Sequence, residues 1–236
     1  MPAAASKTIS TTRSRPRIPA VTLSSSNPGR DCPLCPRLVA FRETWRAREP
    51  GWNNAPVPSF GADDGRLLIV GLAPGLRGAN RTGRPFTGDY AGDLLYQTMI
   101  AYGFARGTFE ARPDDSLTPV DTAVTNAVRC VPPENKPTTD EIRTCRPFLT
   151  ATLAAMPRLA AVIALGKIAH DSVIVALGEK MSRHKFGHGA QHKIGTLTVF
   201  DSYHCSRYNT NTGVLTPEMF HAVFASVRAH LDTLPR

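Results

Sequence analysis

Cysteine placement constrains this chain more than any other feature. Cys32-Pro-Leu-Cys35 puts two thiols within one turn near the start, and Cys130 and Cys145 lie far downstream. Ninety-four residues separate Cys35 from Cys130, and fourteen separate Cys130 from Cys145. If all four sulfurs meet, the fold must bring the middle of the chain back to its beginning. A CxxC pair completed by two distant thiols suits zinc or an iron–sulfur cluster. Spacing alone leaves both open.

With 236 residues and an ordinary 42% hydrophobic share, the chain can bury one good core. No apolar run approaches the roughly 18 residues needed to span a bilayer, so no membrane segment is expected. The start, MPAAASKTIS, lacks the apolar stretch of a secretory signal. A cytoplasmic, reducing setting is therefore expected, and there thiols serve metals or clusters rather than disulfides. The net charge is +9, and residues 1–30 supply +5 of it through Lys7, Arg13, Arg15, Arg17 and Arg30, with no acid. That stretch also holds ten Ser/Thr and four Pro, a composition that cannot build a core. It reads as a disordered basic tail ahead of one domain over 31–236. Its make-up also resembles an organelle transit peptide, without the amphipathic apolar face. A basic tail on a mildly basic body suits a polyanion such as DNA.

Four short apolar runs read as buried strands: Leu67–Gly71, Ala123–Val128, Ala161–Leu165 and Leu197–Phe200. Helical spacing predicts helices over Gly92–Tyr102, Thr139–Leu153 and Lys167–Leu177, with Pro147 kinking or dividing the second. The last helix has Thr216 as cap, Pro217 at its first position, and a stripe of Met219, Phe220, Val223, Phe224, Val227 and Leu231. Strands alternating with helices predict a three-layer α/β/α sandwich around a mostly parallel four-stranded sheet. In such sheets sites form beyond the carboxyl ends of the strands.

Three unusual loops fall at that edge. Gly71-Leu-Ala-Pro-Gly75 and the glycine-rich run to Gly92 follow the first strand, matching neither GxGxxG nor the Walker pattern. Asn126 ends the second strand, where its amide can cap a turn or read a nucleobase edge. After the fourth strand comes Tyr203-His204-Cys205-Ser206-Arg207-Tyr208-Asn209-Thr210-Asn211-Thr212-Gly213, polar enough to be a loop. A further basic stretch, Arg183–Lys193, holds three histidines and reads as a loop.

Together GLAPG, GANRTGRPFTGDYAG, TNAVRCVPP, ALGKIAH and YHCSRYNTNTG, with the cysteine spacing, resemble the iron–sulfur uracil-DNA glycosylases, family-five branch, over roughly residues 31–230. The resemblance implies a 4Fe–4S cluster on Cys32, Cys35, Cys130 and Cys145 with a structural role. Cys205 stands outside that set, where the family more often carries Pro. It implies a monofunctional DNA glycosylase that hydrolyses the bond between sugar and uracil, with hypoxanthine and xanthine as further bases. The expected partner is DNA carrying such bases, met by a monomer.

By the same resemblance Phe86 stacks on the flipped base, Asn126 binds its polar edge, and Gly71, Leu72, Ala73 and Gly75 shape the pocket. His204 donates to the uracil O2 as the bond breaks. Leu72 and Ala73 stand where sister families place acidic or polar groups, and the family-five pattern implies Asp89 as the group that positions water. Asp89 is equally suited to capping the next helix. Arg77, Asn80, Arg81, Arg84, Ser206 and Arg207 are the expected DNA contacts, directed at phosphates. An electron-transfer protein or a zinc-stabilised nucleic-acid-binding module shares the cysteines but gives Phe86, Asn126 and His204 no purpose.

Overall fold

The computed structural model describes residues 22–235. In chain order its elements are α1 (Pro36–Arg48), β1 (Phe60–Gly61), β2 (Leu67–Gly71), α2 (Ala79–Thr82), α3 (Tyr90–Ala101), β3 (Ala105–Arg106), β4 (Thr118–Pro119) and β5 (Thr122–Asn126). There follow α4 (Thr139–Ala154), β6 (Ala161–Leu165), α5 (Lys167–Ala176), β7 (Gln191–Ile194), β8 (Leu197–Ser202), α6 (Arg207–Asn211) and α7 (Pro217–Asp232).

The central sheet runs in the order β1-β5-β2-β6-β8-β7. Its four inner strands are parallel, and they are the four that apolar runs mark in the sequence. Both edges are antiparallel and escape a reading based on apolar runs. β1 has only two residues, and β7 alternates between exposed and half-buried positions, as befits a polar edge. Part of the expected loop at Arg183–Lys193 is therefore strand. β3 and β4 form a separate two-stranded ribbon.

Every residue of the inner strands is buried. Leu67, Ile69, Val124, Ile163 and Phe200 face α3 and α7, meeting Leu95, Met99, Phe220, Phe224 and Val227. Leu68, Val70, Ala123, Val162, Ala164 and Val199 face the other way, onto Leu149, Leu153, Ala169 and Val173 of α4 and α5. Period-two alternation thus builds two apolar layers from one sheet.

α4 opens with a capping box: the Glu141 amide donates to Thr138 Oγ1 (3.2 Å), and the Thr138 amide donates to Glu141 Oε2 (2.8 Å). The helix runs unbroken through Pro147, against the expected division. Pro147 and Arg143 both lie on the solvent side, so the carbonyl that loses its partner stays hydrated.

Residues 1–21, most of the expected tail, lie outside the described residues. Residues 22–30 belong to the body. Leu23 is buried in the α4–α5 layer, and the hydroxyls of Ser26 and Thr152 are hydrogen-bonded at 3.0 Å. One leucine after a polar run is too weak a signal for composition to register.

Candidate active site

The carboxyl ends of β2, β5 and β8 open onto one cleft of about 720 Å³. Its wall includes Leu72, Ala73 and Gly75 after β2, Asn126 at the end of β5, and His204, Ser206 and Arg207 after β8. Phe86 and Asp89 come from the turn before α3. Gly71 lies under this surface. A Cβ there would collide with the Phe86 ring and the Asn126 amide, so glycine allows the two side chains to meet over the sheet edge.

Phe86 sits at φ +51°, a left-handed conformation rarely adopted by a bulky residue. Its surroundings hold it there. Tyr96 Oη donates to the Pro85 carbonyl (2.6 Å), Arg84 Nε donates to Thr87 Oγ1 (2.8 Å), and a Cβ at Gly92 would strike the Phe86 carbonyl. Backbone strain fixed by neighbours is frequent where a side chain must be aimed. The ring points at His204, centroid to centroid 6.0 Å, with planes 27° apart.

His204 is half-buried in the cleft wall, and desolvation pushes its pKa down to about 4. The imidazole is therefore neutral at physiological pH and keeps one N–H to donate. Its loop is braced on both sides: Asn209 Nδ2 donates to the His204 carbonyl (2.8 Å), and the buried Cys205 thiol donates to the Ala91 carbonyl (3.4 Å). Burial pushes the Cys205 thiol up to about 12, which leaves it inert packing.

Asp89 occupies the N-cap position of α3, yet its side chain accepts no cap hydrogen bond. Oδ1 is buried without a partner, and Oδ2 lies where a Cβ on Gly75 or Gly78 would be. Burial raises its pKa, with the Gly92 and Ala91 amides opposing. A carboxylate with one buried, partnerless oxygen beside a cleft is a costly way to cap a helix.

The four distant cysteines do converge. Cys32, Cys35, Cys130 and Cys145 surround one small space walled by Leu38, Val39, Val128 and Phe148. The Arg129 amide donates to Cys145 Sγ (3.3 Å). Burial and the neighbouring sulfurs push Cys35 up to about 11 and Cys130 up to about 12. Four thiolates cannot share this space without positive charge between them, so the donor set fits a cationic metal centre. Ala73 packs against this cluster of residues and also lines the cleft, so the two sites share a wall.

Residues 58–228 match the family model described as the Uracil DNA glycosylase superfamily. The chain belongs to this superfamily. It is 44% identical over 204 residues to the type-5 uracil-DNA glycosylase of Thermus thermophilus, covering 84% of this chain and 92% of that protein. It is 37% identical over 208 residues to the type-5 enzyme of Pyrobaculum aerophilum, with 86% and 91% covered. Similarity to the type-4 uracil-DNA glycosylase of that organism is thinner, 33% over 54% of this chain.

In this superfamily member the expected DNA contacts divide. Arg77, Ser206 and Arg207 line the cleft, and the Arg207 guanidinium lies 5.3 Å from the centre of the Tyr90 ring. Arg81 is exposed but lines a separate cleft with Arg30, Trp52 and Arg112. Asn80 and Arg84 are buried and cannot reach a phosphate. Asn80 Nδ2 donates to Asn54 Oδ1 (2.9 Å), tying α2 to the segment after α1. Arg84 makes a two-pronged pair with buried Asp115, both contacts 2.7 Å. Sequence reasoning counts every arginine in a glycine-rich run alike, and Asp115, thirty-one residues on, is not identifiable from spacing as its partner.

Pro74, Ala79, Tyr90, Ala91 and Asn135 also line the cleft and were missed. Asn135 has φ +57° and follows Glu134 at +56°, a rigid double turn between two of the cysteines. The run Val131-Pro132-Pro133 signals a stiff segment there, but not its approach to the cleft. Among the described residues no helix is long and apolar enough to cross a membrane.

Proposed function

We propose that this chain is a monofunctional uracil-DNA glycosylase, cutting the bond between deoxyribose and a flipped uracil to leave an abasic site. One observation carries the reading: Phe86 and Asp89 from one turn, and Asn126 and His204 from two distant strand ends, line a single cleft at the sheet edge. The type-5 and type-4 relatives named above support it.

A base must leave the stack to be reached. Phe86 offers it a ring face and Asn126 a donor and acceptor for its polar edge. A neutral His204 donates its N–H to the O2 of the departing base, where negative charge develops. Asp89, acting as the carboxylate, orients the attacking water and faces the positive sugar carbon. No lysine lines the cleft among the described residues, which supports hydrolysis over a Schiff-base route. Leu72 and Ala73 give the pocket an apolar wall with little chemical selectivity, and on that ground hypoxanthine and xanthine are also proposed substrates.

The four cysteines are proposed to hold a 4Fe–4S cluster. The convergence of the four thiols on one space, in a chain whose motifs resemble the iron–sulfur branch, supports a cluster. When bound, the cluster supplies positive charge and cross-links to its thiolates, not chemistry at the base. Arg77 and Arg207 are proposed to meet DNA phosphates, and the protein to act as a monomer in the cytoplasm.

The test is incubation with a duplex carrying one uracil, followed by alkali. Strand cleavage at the uracil only after alkali is expected. Failure to form abasic sites at every salt concentration, with the cluster loaded, would defeat the reading.

A further inference from the structure

Beside the cleft lies a buried polar cluster that the proposed chemistry does not use. His170 on α5 and Asp201 on β8 have fully buried side chains, with His170 Nδ1 2.7 Å from Asp201 Oδ1. The other ring nitrogen, His170 Nε2, is 2.8 Å from the His184 carbonyl oxygen. Asp201 Oδ2 takes His192 Nε2 at 2.9 Å and the Gly187 amide at 3.2 Å.

Counting protons decides what this cluster is. A carbonyl oxygen only accepts, an ionised carboxylate only accepts, and a neutral imidazole has one N–H. Both His170 contacts are hydrogen bonds only if the pair holds one proton beyond neutral His and ionised Asp. Asp201 meets two further partners, the His192 ring nitrogen and the Gly187 amide, so its negative charge is stabilised and the proton belongs on the ring. The spacings are those of hydrogen bonds, and the cluster is complete without an ion.

The cluster also joins the supports of His204. The Gly189 amide donates to the Asp201 carbonyl (2.9 Å), and the Tyr203 amide donates to His188 Nδ1 (3.1 Å), with the two rings stacked 5.0 Å apart. On the opposite flank the Gly166 amide, at the head of α5, donates to the Ser202 carbonyl (2.8 Å). Loop 184–190 and α5 thus grip the strand end from two sides, and His170 ties them together.

We propose that His170 is a positioning residue held as an imidazolium, whose ion pair with Asp201 fixes the strand end that carries His204. This rests on His204 acting in the glycosylase reaction proposed above. The groups facing the ring are Asp201 from β8, His192 from β7, and Phe186 and the His184 carbonyl from the intervening loop, with Asp171 and its partner Lys167 on α5 itself. The His184 ring stands behind His192 and beside Glu179. Burial pulls the His170 pKa down, and the Asp201 and His184 contacts outweigh it, leaving the value above that of an ordinary histidine. The hold is therefore complete below the ordinary imidazole range and is lost as pH rises through the raised value.

Nitrogen-15 spectra of the histidine rings in the cluster-loaded protein, read from pH 6 to 10, test this. One buried ring should keep both N–H groups at pH 7.5 and be absent in His170→Gln. Exchange of the Gly187, Gly189 and Tyr203 amides should speed up in that variant, and in wild type above the same pH. Single-turnover uracil release should fall about tenfold in His170→Gln with DNA affinity unchanged within twofold, and its alkaline decline should vanish. If His170→Gln does not fold, Asp201→Asn, which removes the anion facing the ring, should lower the pH at which uracil release declines. A His170 ring that is a neutral tautomer at pH 7.5, or an unchanged alkaline limb in either variant, overturns the proposal. If wild type releases no uracil at any pH, the glycosylase reading fails instead, and the ring spectra and amide exchange decide the state of His170.

Discussion

The four-cysteine site and the cleft lie back to back, and they are built on opposite terms. Around the cysteines, Leu38, Val39, Val128 and Phe148 close in, the Arg129 amide donates to Cys145 Sγ, and Arg42 Nη1 donates to the Cys32 carbonyl (3.2 Å) while its buried Nε has no partner. In the cleft, Asp89 Oδ1 has no partner, burial holds His204 in its neutral form, and Phe86 holds a strained backbone. One site spends its residues on holding the chain together. The other keeps an unpaired carboxylate oxygen and a strained backbone, and shares Ala73 with the first. Stability and reactivity are therefore separable here, and substitutions should sort by which quantity they move.

The largest effect should come from Cys130→Ser or Cys145→Ser. Loss of one ligand should remove iron and the broad absorbance near about 400 nm, and yield protein that is insoluble or melts far below wild type. A variant that keeps full iron content and its melting temperature would place the cluster elsewhere. Next, Arg84→Gln should leave Asp115 buried and unpaired, costing about 3–5 kcal/mol in denaturant unfolding. Asp115 is held down to about 2 by Arg84, so wild type should lose this contribution only as pH falls toward that value.

Asp89→Asn should do the reverse. Single-turnover uracil release should drop about 10²-fold, DNA affinity should hold within twofold, and stability at pH 7 should stay level or rise by about 1 kcal/mol as a buried unpaired charge disappears. Because the carboxylate pKa is raised, wild-type activity should also fall on the acid side before an ordinary aspartate would titrate, while His204 stays neutral down to about pH 4. Equal losses of stability and rate in Asp89→Asn would erase the distinction between the two sites. Smallest should be Arg77→Gln, which weakens DNA binding a few-fold and lowers the salt dependence by about one phosphate contact, with no change in melting temperature.

How far the sequence reveals each site follows from the physics that builds it. The inner strands and α7 are visible because burial on both faces, or on one stripe, writes a periodic apolar pattern. β7 and β1 pair through backbone at the sheet edge, which requires no particular side chains. The cysteines announce their own meeting, since thiols at such spacing have few uses in a reducing setting. Phe86, Asn126, Asp89 and His204 were legible only as members of a family pattern; alone they are a core ring, a turn amide, a helix cap and a solvated imidazole. Arg84 and Asn80 show the limit of that pattern. Residue type suggested phosphate contacts, and only packing against Asp115 and Asn54 reveals that they are internal fasteners.

Ala73 lines the cleft and also packs against the residues around the cysteines. Any larger side chain at this position has to grow into the metal-binding side or into the base pocket, so position 73 has little freedom to drift. Leu72 lines the same cleft outside that packed cluster and is half-exposed. A search for altered base preference, in the laboratory or among natural variants, should find its changes at 72 rather than 73.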